Sequence, residues 1–365
     1  MRRPNPHIER IVQANHGGID YLELNRLGLS PSEVIDFSVS INPFGPPPGV
    51  AEAIAHAHVD TYPDSDAREL RKALATKLGI TTNNVLIGSG STEIIRLVAM
   101  TYLDRSDLVL IPQPTYGDYE VASNLAGARV MKPWMLGEAD FRLNPDRLRD
   151  LICEYRPSAV FLCNPNNPTG QYMSRQEVTA IVRTTSPGFL VLDEAYVAFS
   201  PDPWRSTELL GAGEIIIVRS MTKDYALAGL RLGYVIADEG TINVLNKVKP
   251  PWNVSAIAQA AGIHALRAEG YLEECGQKIQ EAREYLTKGL RSLGLVPSPS
   301  QANFFIVKVG DAAGFRRALL RKGIIVRDCT SFGLPNYVRL APRTIPECAR
   351  LLAGIDDPEV RRHVS

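Results

Sequence analysis

Short apolar runs and amphipathic stretches alternate through the first two thirds of the chain. Continuous runs rich in Val, Ile and Leu predict buried strands at 85–87, 108–111, 159–163, 189–192, 215–218 and 233–236. Between them, apolar residues recur every three or four positions, as at 92–102 and 175–184, which predicts helices. Strands that alternate with helices are typical of a mostly parallel sheet wrapped by helices, so we expect an α/β fold.

The pattern changes near residue 254, where longer helical stretches begin. Residues 272–293 carry many Glu, Lys and Arg on one face, and strand-like segments follow in NFFIVKV, GIIVRDC and NYVRLAP. We therefore predict three parts: a polar, proline-rich N-terminal arm at 1–45, a large α/β domain at 46–250, and a smaller α+β domain at 251–365.

The composition limits the classes of protein to which the chain can belong. The 365 residues are 45% hydrophobic, which is enough for a large globular core. Lys plus Arg and Asp plus Glu number 40 each, so no overall basic field indicates nucleic acid or an anionic membrane as the partner. A small molecule is the expected partner.

Cysteine usage and the N-terminal segment indicate the compartment. The five cysteines are scattered without a CxxC pair, and no histidine stands at metal-ligand spacing, so neither a disulfide framework nor a metal site is expected. No apolar segment follows the first two arginines, as a secretory signal requires. No stretch reaches the ~18 consecutive apolar residues of a membrane-spanning helix. We expect a cytoplasmic protein that is not bound to a membrane.

One lysine, Lys223, stands in the stretch SMTKDYALAGLRLGY at 220–234. The apolar run before it places the lysine just past the carboxyl end of a predicted strand, where open α/β sheets bind ligands. A buried amine in such a place has a lowered pKa and is nucleophilic towards carbonyls, which a Schiff base requires. Most lysines are solvated surface charges, so the neighbouring motifs decide the interpretation.

Four further motifs follow predicted strands, and each also has a purely structural explanation. GSGSTE at 88–93 either binds a phosphate at the start of a helix or is a tight turn. LDEAY at 192–196 makes Asp193 either a buried carboxylate that needs a cationic partner or a helix cap. NPNNPTG at 164–170 is either a rigid loop with an amide donor or a plain turn. PTYGDY at 114–119 offers Tyr116 either as a plate for a flat ring or as core.

Taken jointly and in this order, the motifs resemble the fold-type I pyridoxal-phosphate enzymes, and within them the histidinol-phosphate aminotransferase branch. Other segments are similar to the L-threonine-O-3-phosphate decarboxylases of cobalamin biosynthesis: HGG at 16–18, DFSVSINPFGPP at 36–47, TYPD at 61–64, PPWNVSAIAQAAG at 250–262 and VRDCTSFGLPNYVRL at 326–340. The resemblance covers essentially the whole chain. One departure is Ile19, because HGGN is common in that family.

The resemblance implies the fold-type I architecture and pyridoxal 5'-phosphate as the cofactor. Lys223 would hold the cofactor covalently, Asp193 would hold the proton of its ring nitrogen, and Tyr196 would contact its phenolic oxygen together with Asn167. Tyr116 would stack on the ring. The residues implied for the cofactor phosphate are Ser89, Gly90, Ser91, Thr92, Ser220, Thr222 and Arg231, with Tyr62 reaching it from the second subunit of a homodimer.

For the substrate, the resemblance implies that Arg339 binds an α-carboxylate, close to Asn167, as a bidentate pair. His16, Gly17, Asn42 and Arg327 would receive a phosphate carried by the substrate, with the N-terminal arm closing over it. A histidine in such an arm is otherwise a surface residue.

The expected activity is the pyridoxal-phosphate-dependent decarboxylation of O-phospho-L-threonine to (R)-1-aminopropan-2-yl phosphate in cobalamin biosynthesis. The alternative is an aminotransferase that acts on histidinol phosphate or a related amino donor with 2-oxoglutarate. Both substrates carry a phosphate, so a basic pocket is compatible with either. A nicotinamide-dependent oxidoreductase is disfavoured because GSGS alone does not explain Lys223 or Arg339, and a DNA-binding regulator is disfavoured because no basic helical module is apparent.

Overall fold

The computed structural model describes residues 7–134 and 141–364. Its strands, numbered in chain order, are β1 (Ile35–Asp36), β2 (Val85–Gly88), β3 (Leu108–Leu110), β4 (Arg129–Met131), β5 (Ala159–Cys163), β6 (Phe189–Asp193), β7 (Ile215–Ser220), β8 (Gly233–Ile236), β9 (Phe305–Lys308), β10 (Ile324–Ile325), β11 (Arg327–Asp328) and β12 (Tyr337–Leu340). All six strands predicted for the large sheet are present.

The helices carry the polar faces that the sequence pattern predicts. They are α1 (Tyr21–Leu27), α2 (Val50–Ala55), α3 (Arg68–Leu78), α4 (Ser91–Tyr102), α5 (Asp118–Ala126), α6 (Pro145–Tyr155), α7 (Arg175–Thr185), α8 (Glu239–Val248), α9 (Ala256–Arg267), α10 (Tyr271–Ser292), α11 (Ala312–Arg321), α12 (Ile345–Ile355) and α13 (Pro358–Arg361). Among the described residues, no helix is long and apolar enough to cross a membrane.

A seven-stranded sheet forms the centre of the large unit, in the order β2-β8-β7-β6-β5-β3-β4. Only β8 runs antiparallel to its neighbours. Successive residues of β5 enter opposite cores: Phe161 packs on one face of the sheet and Leu162 on the other. Helices cover both faces, so the strands are continuous apolar runs. The predicted α/β fold is confirmed.

The sequence pattern missed β4. This strand has three residues, lies at the edge of the sheet, and contains the exposed Arg129. An edge strand with one solvated side has no continuous apolar run, so the criterion that found the central strands did not detect it.

The smaller unit packs α10, α11 and α12 against an antiparallel sheet of order β11-β12-β9. Its core also takes in Phe37, which is fully buried, and β1 pairs in parallel with β10. Residues 35–37 of the predicted N-terminal arm are therefore attached to the smaller unit, whereas the first six residues of the arm lie outside the described range.

The predicted division of the chain stays a prediction, and the packing suggests a later boundary. Helix α9 belongs to the core of the large unit through Ala258, Ala261 and Ala265. Helix α10 begins against that core and ends in the smaller one, where Leu286 and Leu290 are buried. We propose that the two units divide within α10 rather than at residue 250.

Candidate active site

A cavity of about 260 Å³ opens where β5, β6 and β7 end at the same edge of the sheet. This is the edge at which parallel α/β sheets bind ligands. Of the site residues predicted from the sequence, those that line the cavity are His16, Gly17, Ser91, Thr92, Tyr116, Asn167, Asp193, Tyr196, Thr222, Lys223, Arg231, Arg327 and Arg339. The remaining ones, Ser89, Gly90, Ser220, Asn42 and Tyr62, lie behind this lining or away from it.

Lys223 follows β7 by three residues and faces the cavity. Burial, together with the positive charges of Arg339 and Arg231, lowers the pKa of its amine to about 8 against the opposing effect of Asp193. A lysine that is partly neutral near physiological pH is a nucleophile, so this position meets the chemical requirement for attack on a carbonyl.

Asp193 ends β6 and is 3% exposed. Its Oδ2 accepts a hydrogen bond from the Tyr119 hydroxyl at 2.7 Å, and its Oδ1 accepts one from the Ala195 backbone N–H at 2.9 Å. Burial raises the pKa of Asp193 to about 6 although both hydrogen bonds lower it. A carboxylate that is held in one orientation, and whose negative charge is only weakly balanced by nearby cations, is suited to bind a protonated ring nitrogen.

The turn between β2 and α4 forms a cradle for an anion. Gly90 precedes α4 with a positive φ of 82°, and its side-chain-free position leaves the first turn of the helix uncapped by any described side chain. A Cβ at Gly90 would lie 2.8 Å from Arg231 Nη2, and one at Gly233 would lie 2.8 Å from the Ser91 backbone nitrogen. Only glycines at these two positions therefore allow the Arg231 guanidinium and β8 to approach this turn so closely. Both then lie next to the free N–H groups at the N-terminus of α4.

The hydroxyls of Ser220 and Thr222 lie next to each other, and the backbone N–H of Ser89, a predicted phosphate donor, already has a hydrogen-bond partner. Ser220 Oγ and Thr222 Oγ1 are 2.7 Å apart, and both residues are buried. The Ser89 backbone N–H donates to Glu93 Oε2 at 2.5 Å, so it does not point into the cavity as the predicted phosphate contact requires.

Two arginines lie side by side on neighbouring strands of the smaller sheet, because Arg327 on β11 is the register partner of Arg339 on β12. Arg339 is 5% exposed and donates to Asn167 Oδ1 and to the Ser38 carbonyl, and its buried Nε has no partner among the residues that the structure describes. Burial and the nearby Arg339 lower the pKa of Arg327 to about 10. Within 7–134 and 141–364, no carboxylate forms an ion pair with Arg231, Arg327, Arg339 or Lys223.

The segment around His16 covers the outer side of the cavity. Arg327 donates to the carbonyls of Asn15 and His16, at 2.6 and 3.2 Å. His16 Nε2 lies 3.2 Å from Asp118 Oδ2, and its ring lies 5.7 Å from that of Tyr116. The segment thus spans from the smaller unit to the start of α5 in the large one.

Asn42 and Tyr62, two of the predicted residues outside the cavity lining, have other contacts in this chain. The Asn42 amide donates to the Asp224 carbonyl at 3.0 Å and to Tyr271 Oη at 3.4 Å, so it supports the loop of the lysine from behind. Tyr62 is 80% exposed and stacks on Trp252 with ring centroids 4.5 Å apart.

Sequence reasoning missed Tyr119, Asp118 and Ser38. Tyr119 and Asp118 lie in the quoted PTYGDY motif, but spacing alone does not show that a helical residue of α5 reaches the end of β6. Ser38 contributes its carbonyl to Arg339, and a backbone atom leaves no residue-type signal.

The donors around the cavity fit pyridoxal phosphate. They combine a lysine amine, a buried carboxylate, an anion cradle and the orphaned buried Arg339 Nε. No group of three or more acidic, His or Cys side chains that could hold a metal ion occurs in the described parts of the chain.

Comparison with known proteins agrees with this chemistry. A family model described as aminotransferase class I and II matches residues 32–355. The chain is 36% identical over 302 residues to the histidinol-phosphate aminotransferase of Thermoanaerobacter pseudethanolicus, covering 82% of this chain and 84% of that protein. The histidinol-phosphate aminotransferase of Sinorhizobium meliloti, solved in complex with pyridoxal-5'-phosphate, has a TM-score of 0.87 at 26% identity and covers 99% of this chain and 98% of its own.

The comparison with these relatives contradicts the decarboxylase activity that was expected from the sequence. The L-threonine-O-3-phosphate decarboxylase of Porphyromonas gingivalis does share the fold, with a TM-score of 0.75 at 25% identity, covering 88% of this chain and 98% of that chain. The curated relative that is 36% identical is, however, an aminotransferase. The predicted decarboxylation of O-phospho-L-threonine, and with it the place in cobalamin biosynthesis, is wrong. The predicted cofactor is confirmed.

Proposed function

The chain belongs to the aminotransferase class I and II family, and we propose that it transfers the amino group of histidinol phosphate to 2-oxoglutarate. The observation that carries this proposal is a single cavity bordered by Lys223, Arg231, Arg327 and Arg339, none of which has an ion-paired carboxylate in the described residues. Four uncompensated cations suit a phosphorylated cofactor, a phosphorylated amine and a dicarboxylate, which the reaction binds in turn.

Lys223 and Asp193 would hold the two reactive ends of the cofactor. Pyridoxal phosphate, when bound, withdraws electrons from the bonds at the amino carbon of the substrate. Lys223 would attach the cofactor and, once released by the substrate amine, its Nζ would move the proton of that carbon, a role that suits a pKa of about 8. Asp193 would stay ionised against the ring nitrogen, held in place by Tyr119.

Tyr196 and Asn167 would contact the phenolic oxygen of the ring. Burial raises the pKa of Tyr196 to about 12, so its hydroxyl stays protonated and donates. Asn167 Oδ1 already accepts from Arg339, which leaves its amide N–H groups to donate to the ring oxygen. Tyr116, whose hydroxyl lies 3.1 Å from Thr92 Oγ1, would stack on the ring.

The cofactor phosphate would lie at the start of α4. Ser91 and Thr92 offer backbone N–H groups and hydroxyls there, Arg231 approaches over Gly90, and the hydroxyl of Thr222 closes the cradle. Ser89 is left out of this role because its N–H is bonded to Glu93.

The two substrates would share the arginine pair. Arg339 would bind the α-carboxylate of glutamate, and Arg327, with His16 and the Gly17 backbone, would bind the phosphate of histidinol phosphate. We further propose a homodimer in which Tyr62 of the second subunit reaches the cofactor phosphate, since Tyr62 is exposed next to Trp252 and does not enter the cavity of its own chain.

The test is to supply purified protein with pyridoxal phosphate, histidinol phosphate and 2-oxoglutarate and to measure glutamate. Sustained formation of glutamate that depends on both substrates and disappears in Lys223→Ala is expected. Arg71→Ala, a cationic change away from the cavity, serves as the matched control and should stay active. No glutamate from histidinol phosphate, with turnover of another amino donor, would contradict the proposed substrate and leave the aminotransferase class intact.

A further inference from the structure

A second cavity lies behind the candidate active site. It measures about 220 Å³ and adjoins one of about 310 Å³, with which it shares Lys77, Leu78, Arg205 and Arg219. Ala195 lines both the second cavity and the active site and so forms part of the wall between them. The space is far larger than one water molecule requires, which is about 30 Å³ of liquid volume.

Two buried polar atoms at this cavity have no hydrogen-bond partner among the described residues. Glu194 is 2% exposed, and its Oε1 accepts no hydrogen bond from any residue within 7–134 or 141–364, whereas Oε2 accepts from Ser206 Oγ at 2.6 Å and Arg219 Nε at 2.9 Å. Tyr225 is 3% exposed, and its hydroxyl is also without a partner in the part of the chain that the structure describes. Buried polar groups in proteins are nearly always satisfied, so an occupant of the cavity is the natural partner of both.

The inner end of the cavity carries two carboxyl groups, of which Glu194 is paired with Arg219, and the rim is basic. Asp224 lines the inner end beside Glu194, and burial raises the pKa of its carboxyl to about 7. Lys77 and Arg205 are exposed at the rim, and in the described parts of the chain neither forms an ion pair. Lys77 and Asp224 line the same cavity, so one occupant can meet both ends.

The walls between the two ends are apolar. They are formed by Leu74, Leu78, Trp204, Leu266 and Leu272. An occupant therefore needs a hydrogen-bond donor at one end, an anionic group nearby at the other, and an apolar body.

We propose that this cavity binds a free α-amino acid with an apolar side chain, at a site separate from the active site. The ammonium group donates to Glu194 Oε1 and Asp224, the carboxylate meets Lys77 and Arg205, and the side chain lies among the leucines. Glu194 follows Asp193 directly and Asp224 follows Lys223 directly, so the occupant contacts the residues next in sequence to both reactive groups. The inference does not depend on which substrate the enzyme uses.

The test is isothermal titration of the pyridoxal-phosphate-loaded enzyme with L-leucine as the probe. Because the active site also accepts amino acids, the titration is repeated in Arg339→Lys, which weakens carboxylate binding there. L-leucine should bind this variant as it binds the wild type. In the double variant Lys77→Ala/Arg205→Ala, the affinity should fall about tenfold, because both rim cations are lost.

Lys72→Ala is the matched control, since Lys72 is exposed on the same helix and does not line either cavity. It should leave the affinity unchanged. Leucinol, which lacks the carboxylate, and 4-methylpentanoate, which lacks the amino group, should both bind more weakly than L-leucine. Absence of binding to the wild type, or binding that Arg339→Lys abolishes and the rim variant preserves, would overturn the proposal.

Discussion

Replacing Asp193 by asparagine is expected to stabilise the enzyme without its cofactor, in a manner that depends on pH. Asp193 is almost fully buried, and its pKa is about 6 instead of the ordinary 3.8. When the pKa of a carboxyl is higher in the folded than in the unfolded protein, the free energy of unfolding falls as the pH rises from the lower pKa through the higher one. Asparagine stays neutral at every pH, so the variant does not lose this stability.

The magnitude follows from the two pKa values. One pKa unit corresponds to 1.36 kcal/mol, so the ionised carboxylate costs the cofactor-free fold about 3 kcal/mol once the pH is well above 6. Near pH 4 most of this cost is absent. The difference in free energy of unfolding between Asp193→Asn and wild type should therefore grow by about 2 kcal/mol, in favour of the variant, between pH 4 and pH 7.5.

Urea unfolding of the two cofactor-free proteins at several pH values measures this difference, and other titrating groups cancel in it. Adding pyridoxal phosphate should reverse the order at neutral pH, because the wild-type carboxylate then has a cationic partner that the amide cannot match. A difference that does not change with pH would refute the claim that Asp193 ionises at a cost in the empty site. A cofactor that stabilises both proteins equally would refute its role at the ring nitrogen.

Three further results are expected. The rate at which pyridoxal phosphate attaches to the cofactor-free enzyme, followed by absorbance, should rise as the pH passes through about 8, where Lys223 loses its proton; a rate that is flat across this range would contradict the lowered pKa. Arg339→Lys should lower kcat/KM for glutamate by about 100-fold and affect histidinol phosphate much less in steady-state assays, because only glutamate has an α-carboxylate for the bidentate contact. Gly233→Ala, whose Cβ would lie 2.8 Å from the Ser91 nitrogen and 2.9 Å from the Gly90 carbonyl carbon, should weaken cofactor binding and cost about 1 to 3 kcal/mol in urea unfolding, whereas Gly276→Ala, with open space around it, should do neither.

The central sheet was predictable because its strands are buried on both faces. Continuous apolar runs then mark β5, β6 and β7 directly, and the polar residues that follow them mark the ligand-binding edge. Lys223 and Asp193 were found in this way without knowledge of the fold. The same logic could not find β4, whose exposed edge breaks the apolar run.

Contacts between distant parts of the chain were harder to predict. Asn42 has the residue type of a phosphate ligand, yet its amide is used by the Asp224 carbonyl, 182 positions away. Tyr119 looks like a core aromatic, and it is one, but its hydroxyl also fixes Asp193. A residue type states what a side chain can bond, whereas its actual partner depends on tertiary packing.

The failure of the decarboxylase prediction has a related physical cause. Decarboxylation and transamination use the same groups to hold the cofactor and a substrate phosphate, so motifs built from those groups do not separate the reactions. What separates them is which bond of the amino carbon stands perpendicular to the ring. In this chain Arg339 is bonded to Asn167, which we place at the edge of the ring. An arginine that binds a substrate carboxylate serves both reactions, so the presence of Arg339 beside Asn167 does not by itself determine which bond is broken.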